Sequence, residues 1–230
     1  MTQLSDDRLY VALDVPTLAE ARAMVETLGD AVSSYKIGLQ LLPLGGAQFG
    51  QELKALGKNV FYDFKLHDIG VTVEKATRSI SGLGADLLTV HARPDVMESA
   101  AAGRGKSSLK ILGVTVLTSL DRQALNDIGY NYTAEELVMR RVEQAMAAGV
   151  DGVVSSPLEA AKIRAVVPDN FLVVTPGIRM PDGDKGDQKR IATPGDALRS
   201  GASHIVVGRP ITAAADPRQA ALNVLENMRA

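Results

Sequence analysis

Eight short apolar runs recur along the chain, and their number restricts the folds open to it more than any other feature. They are LYVALDV (9–15), SYKIGL (34–39), NVFYDFKL (59–66), DLLTVHA (86–92), KILGVTVL (110–117), DGVVSS (151–156), FLVVTPG (171–177) and HIVVGR (204–209). Each has strand length and is rich in Val, Ile or Leu, the composition of strands covered on both faces. Between them lie segments with helical spacing, among them 17–28, 134–148 and 217–228. Thr17 and Glu20 form a T-x-x-E pattern, which predicts a capping box at the first helix. Strand signals alternating with helical ones predict a parallel sheet, and eight is the number that closes a (β/α)8 barrel. The expectation is an α/β fold of the TIM-barrel type, with residues 1–230 forming a single domain; an open doubly wound sheet is the alternative.

Such a barrel needs a large core. With 230 residues, 46% of them hydrophobic, the chain can build one that excludes water from a site. No linker rich in Pro, Gly or Ser divides it. A formal net charge of −2 gives no general attraction for nucleic acid or an anionic membrane, and leaves room for a local basic pocket. The absence of cysteine removes disulfides, thiolate zinc sites and a cysteine nucleophile together, and fits a reducing compartment. His67, His91 and His204 are the only histidines and lie far apart, so a metal would depend largely on carboxylates. The first residues, MTQLSDDRLY, lack a basic region followed by an apolar stretch, and no run approaches the ~18 apolar residues of a membrane span. A cytoplasmic protein is expected, with neither nucleic acid nor membrane as partner.

Sites in (β/α)8 barrels lie at the C-terminal ends of the strands. Polar residues collect there. Asp14 follows the first strand, Lys36 sits in the second, and Asp63, Lys65 and Asp68 surround the end of the third. His91 ends the fourth, Thr118 and Ser119 follow the fifth, Ser155 and Ser156 end the sixth, and Arg179 follows the seventh. The eighth runs through Gly208 and Arg209 into Pro210, a favoured first helical position. Outward-pointing amides at a helix start, a glycine that admits a ligand and an arginine together suggest a phosphate cradle. The alternative is a strand-to-helix turn with a solvated arginine. The segment PDGDKGDQKR (181–190) has no large apolar side chain, so it is expected to be a lid. There Lys185, Gln188, Lys189 and Arg190, with Arg179, would fold onto an anionic ligand; a surface loop without a role is the other reading.

The densest cluster is FYDFKLHDIG (61–70). Asp63 and Lys65 are two apart on a strand, so both point into the barrel mouth. Lys36, on the adjacent strand, can meet them, and Asp68 can curl back or reach a neighbouring subunit. The bland alternative is a structural salt-bridge network. Buried ion pairs stabilise poorly, however, because desolvation cancels much of the Coulomb gain. Two like charges ~4 Å apart repel by ~4 kcal/mol at an effective dielectric near 20, so the carboxylates need both lysines protonated. A charged lysine held beside carboxylates in a closed site is a positioned proton donor.

The motifs LDVP, YKIG, D-x-K-x-H-D-I, LTS, TPGIR and VVGRPI stand in that order from Leu13 to Ile211. As a set they resemble the bacterial orotidine 5′-phosphate decarboxylase family. The resemblance implies a homodimeric barrel with shared active sites that converts orotidine 5′-monophosphate to UMP and CO2, the last step of de novo UMP synthesis, without metal or cofactor. By the same resemblance Lys65 is the proton donor to C6, and Asp63 faces the leaving carboxylate. Lys36 contacts the ribose and completes a Lys-Asp-Lys-Asp array. Asp68, with Ile69 and Thr72, serves the partner's site. Asp14 is a ribose ligand, Thr118 and Ser119 lie at the pyrimidine, and Arg179, Gln188, Gly208 and Arg209 clamp the phosphate. One departure stands out: many members read D-I-P-N-T where this chain reads D-I-G-V-T (68–72). Two rivals use related scaffolds: a Mg2+-dependent decarboxylase of a sugar-phosphate keto acid, and a phosphate-binding barrel without turnover.

Overall fold

The computed structural model describes residues 4–181 and 191–230. Its eight strands are β1 (Leu9–Ala12), β2 (Ser34–Gly38), β3 (Asn59–Leu66), β4 (Leu87–His91), β5 (Lys110–Val114), β6 (Gly152–Val154), β7 (Leu172–Thr175) and β8 (His204–Val207). Each pairs in parallel with the next, and β8 pairs with β1, so the sheet closes on itself. The barrel reading holds, and the open-sheet alternative is excluded by the β1–β8 ladder. The helices are α1 (Leu18–Leu28), α2 (Gly46–Ala55), α3 (Gly70–Ser81), α4 (Pro94–Arg104), α5 (Arg122–Asp127), α6 (Ala134–Ala147), α7 (Ala160–Arg164), α8 (Pro194–Arg199), α9 (Arg209–Thr212) and α10 (Pro217–Arg229). Two of them exceed the one-helix-per-strand pattern: short α5 shares a connection with α6, and α9 precedes α10.

The uniform hydrophobicity of the strands has a two-sided cause. Val11, Ile37, Tyr62, Leu88 and Val153 face the helices, while Tyr10, Phe61, Leu87, Leu112, Val174 and Val206 fill the barrel. Both faces are dry, so alternation is apolar–apolar rather than apolar–polar. Inside, Tyr10 meets Phe61 edge-on with ring centroids 5.6 Å apart.

Most apolar runs outlast their strands. The β1 run continues to Val15 but pairing ends at Ala12, and the β5 run continues to Leu117 but pairing ends at Val114. Of the surplus residues, Asp14, Val116 and Leu117 line the barrel mouth. Helix starts differ from expectation at one point. Thr17 caps α1 by accepting the Glu20 N–H, yet the Glu20 carboxylate accepts from the Thr17 hydroxyl (3.2 Å) instead of the Thr17 amide. The reciprocal capping box stands at α6, between Thr133 and Glu136. No helix among the described residues is long and apolar enough to cross a membrane.

Candidate active site

The candidate site begins with an irregularity in β3. Its register with β4 runs Phe61↔Leu87 and Tyr62↔Leu88, then jumps to Leu66↔Val90. Asp63, Phe64 and Lys65 therefore face a single β4 residue, Thr89, and β3 bulges. Lys65 takes a φ of 48°, the only positive φ outside glycine among the described residues. Plain strand alternation is thus not what aims Asp63 and Lys65 together; the bulge does. Phe64 still turns outward, where its ring stacks on Tyr62 at 4.9 Å.

The charges form one chain of contacts. Lys36 Nζ lies 3.2 Å from Asp14 Oδ1 and 3.3 Å from Asp63 Oδ2, and Lys65 Nζ donates to Asp63 Oδ1 at 2.7 Å. The order is Asp14–Lys36–Asp63–Lys65, with signs alternating throughout. Burial raises the pKa of Asp63, but the ammonium groups of Lys36 and Lys65 outweigh it and hold the carboxyl below its usual range. For Lys36 burial works downward, and Asp63 with Asp14 outweighs it, so its pKa is raised. Both groups stay charged at neutral pH. The Lys36–Asp63 attraction is about 5 kcal/mol at an effective dielectric near 20. Desolvation of the two ions offsets that gain, so the pair adds little to the fold. Gly38 makes room for it: a Cβ there would sit 2.9 Å from Asp14 Oδ1 and 3.2 Å from Lys36 Nζ.

These groups border a cavity of about 410 Å3 at the C-terminal ends of the strands, within the size range of small-molecule sites. Its wall at β5 and β6 is mainly apolar, formed by Val116, Leu117, Val154 and Ser155 beside Thr118. The opposite end, at β7 and β8, four and three strands round the ring from β3, carries Gly177, Arg179, Gly208 and Arg209. Arg179 is buried and donates from Nη1 to its neighbour's carbonyl, Ile178 O, at 2.8 Å, and its amide donates to Ala192 O at 3.0 Å. One ligand could therefore meet cations at both ends and an apolar wall between.

Residues 7–224 match the model of the orotidine 5′-phosphate decarboxylase / HUMPS family. The chain belongs to this family. Among curated relatives, the orotidine 5′-phosphate decarboxylase of Caulobacter vibrioides is 59% identical over 228 residues, covering 97% of this chain and 98% of that protein. The Rhodopseudomonas palustris decarboxylase is 55% identical over 215 residues, covering 94% and 92%. The crystal structure of orotidine 5′-phosphate decarboxylase from Lactobacillus acidophilus matches with a TM-score of 0.85 at 36% identity, covering 98% of this chain and all of that one.

Of the residues that the family resemblance implied, the cavity gathers Asp14, Lys36, Asp63, Lys65, Thr118, Arg179, Gly208 and Arg209. Asp68, Ile69, Thr72 and Ser119 do not line it and are exposed. Asp68 turns Oδ1 onto the Ile69 amide at 2.7 Å. Within one chain the array runs from Asp14 to Lys65, and Asp68, which the resemblance assigns to the partner's site, is not part of it. Gln188 lies outside the described residues, as do Lys185, Lys189, Arg190 and all of the expected lid (181–190) except Pro181. His91 is not at this cavity; it pairs with His67, ring centroids 4.6 Å apart, in a second hollow beside Arg93 and Arg141. Sequence reasoning missed Thr89, Gly38 and the apolar wall. A threonine or valine in a parallel strand is ordinary, so only the register change at β3 singles Thr89 out.

Among the described residues no group of three or more His, Asp or Glu side chains is arranged to hold a metal ion. The carboxylates in the cavity instead converge on a lysine, since Asp14 and Asp63 both address Lys36 Nζ.

Proposed function

We propose that this chain decarboxylates orotidine 5′-monophosphate to UMP and CO2, the last step of UMP synthesis. The observation that carries the reading is Lys65 Nζ, held 2.7 Å from the partly buried, ionised Asp63 at the edge of the cavity. In decarboxylation the bond from C6 to the carboxylate breaks, CO2 leaves, and its electron pair remains on C6. An ammonium already fixed beside that carbon stabilises the developing charge without waiting for solvent to reorganise, then gives C6 its proton. Lys36 keeps Asp63 ionised, and Asp63 holds the Lys65 ammonium in place. Asp14 and Lys36 take the ribose, and Thr118 the pyrimidine edge. Arg179, Arg209 and Gly208, with Gln188, take the phosphate, whose binding energy is remote from the reacting carbon and can be used to hold the substrate against the array.

The working unit is a homodimer in this reading. Leu39, Leu44, Ile69, Val71, Leu117 and Ile128 are exposed, and all follow β2, β3 or β5 at the same end of the barrel. Exposed apolar side chains gathered there suit an interface. Asp68, Ile69 and Thr72, which their own cavity does not use, then reach the partner's site. Substrate and product are phosphorylated and cross no bilayer unaided, which supports a cytoplasmic location.

The test is loss of orotidine monophosphate absorbance with purified protein in excess EDTA. Turnover should persist there, and Lys65→Ala should lower kcat about a thousandfold or more while UMP binding changes little. Activity that vanishes in EDTA and returns with Mg2+ refutes the metal-free reading. A Lys65→Ala protein that keeps a tenth of wild-type turnover removes Lys65 from its role.

A further inference from the structure

Thr89 stands opposite the β3 bulge, at the middle of β4, fully buried. Two contacts define its hydroxyl. The amide of Lys65 donates to Thr89 Oγ1 at 3.0 Å, and Thr89 Oγ1 lies 2.9 Å from Asp63 Oδ1. A hydroxyl has one proton, and the Asp63 carboxylate can only accept, so the direction is settled: Lys65 N–H to Thr89, Thr89 O–H to Asp63. Asp63 Oδ1 also receives Lys65 Nζ at 2.7 Å, which closes a ring running from the Lys65 backbone to the Lys65 side chain.

This ring does what the sheet cannot do at the bulge. Ladder pairing is interrupted there, and the Lys65 amide finds its partner in a side chain. A buried amide left unpaired at a strained backbone would favour another conformation. As a β-branched residue on a strand, Thr89 has little freedom at χ1, so its oxygen is a fixed point. It does not line the cavity and therefore touches no substrate there.

We propose that Thr89 is a positioning residue of the decarboxylase site, fixing both the backbone of Lys65 and the carboxylate of Asp63 through one hydroxyl. The inference rests on the reading of Lys65 as proton donor. Loss of the hydroxyl releases both ends at once, and Asp63 also loses one of the donors that keep it ionised. With that donor gone its pKa rises. Activity that requires ionised Asp63 then fails at higher pH on the acid side.

Thr89→Val keeps the shape and removes both hydrogen bonds. Expected are a kcat lowered about 10- to 100-fold, UMP affinity within about threefold of wild type, and an acid limb of kcat/KM moved to higher pH. Thr89→Ser should recover most of the turnover. Wild-type kcat with an unmoved acid limb in Thr89→Val overturns the proposal, as does an equal loss of kcat and UMP binding. If Thr89→Val does not fold, Thr89→Ala and Thr89→Ser give the same comparison, because both lack the methyl group and only serine keeps the hydroxyl. Equal turnover of those two overturns it. Lys65→Ala runs alongside: if that protein stays active, the role of Lys65 has failed; if it is inactive while Thr89→Val is normal, only the role of Thr89 has.

Discussion

A glycine sets the spacing of the charges around Lys36. Gly38 lies directly across the β2–β3 ladder from Asp63, and any Cβ there enters the space of Asp14 and Lys36. Gly38→Ala should displace that pair, lower kcat/KM about tenfold, and cost roughly 1–2 kcal/mol of stability through overpacking. Steady-state kinetics and a melting curve check both halves. Charged residues in an apolar strand announce themselves, so Asp63 and Lys65 were legible in the sequence. Gly38 and Thr89 were not, because their roles come from neighbouring strands and only the ladder register shows which residues meet. Nor was the backbone of Lys65: a lysine at φ 48° has no signature in sequence, since the bulge is a property of the β3–β4 pair.

At the level of elements, α3 and α4 approach more closely than ordinary side chains allow. A Cβ on Gly103 would stand 2.3 Å from the carbonyl oxygen of Glu74, and one on Gly70 would stand 2.6 Å from Ser99 Oγ. Both contacts cross between these helices. The second gives Gly70 a physical reason, since Ser99 Oγ occupies the space a Cβ would need. Gly103→Ala should force the helices apart. Overpacking of about 1–3 kcal/mol outweighs the ~1 kcal/mol by which alanine is the better helix former, so a lower urea midpoint is expected. An unchanged or higher midpoint would show that α4 can slide without cost. Strand-length runs located all eight strands, and β3 matched residue for residue. Their ends were misjudged because apolar residues such as Val116 and Leu117 continue past the ladder to wall the cavity. Short helices such as α5 carry too few turns for a periodic signal.

For the whole molecule, the proposed dimer predicts recovery of activity from two inactive proteins. Lys65→Ala and Asp68→Asn chains are unfolded together in equal amounts and refolded. If Asp68 serves the partner's site, a mixed dimer has one site with both lesions and one with neither. Random pairing makes about half the dimers mixed, so about a quarter of wild-type activity should return. If Asp68 serves its own chain, every site keeps a lesion and nothing returns. Mass spectrometry of the mixed species guards against a failure to exchange. The closed barrel was legible from strand count alone, whereas the pairing of two barrels depends on which apolar side chains stay exposed after folding.

The left-handed backbone at Lys65 also bears on how such a protein drifts over generations. A side chain with a β-carbon is disfavoured in that conformation and glycine is not. Glycine at position 65 would relieve about 1–2 kcal/mol of that strain, but would also strip Asp63 of the ammonium 2.7 Å away, and that loss is the larger. A lineage released from the need for UMP would therefore shed the strained backbone only by losing Asp63 and Lys65 together, so the pair should persist or disappear as a unit.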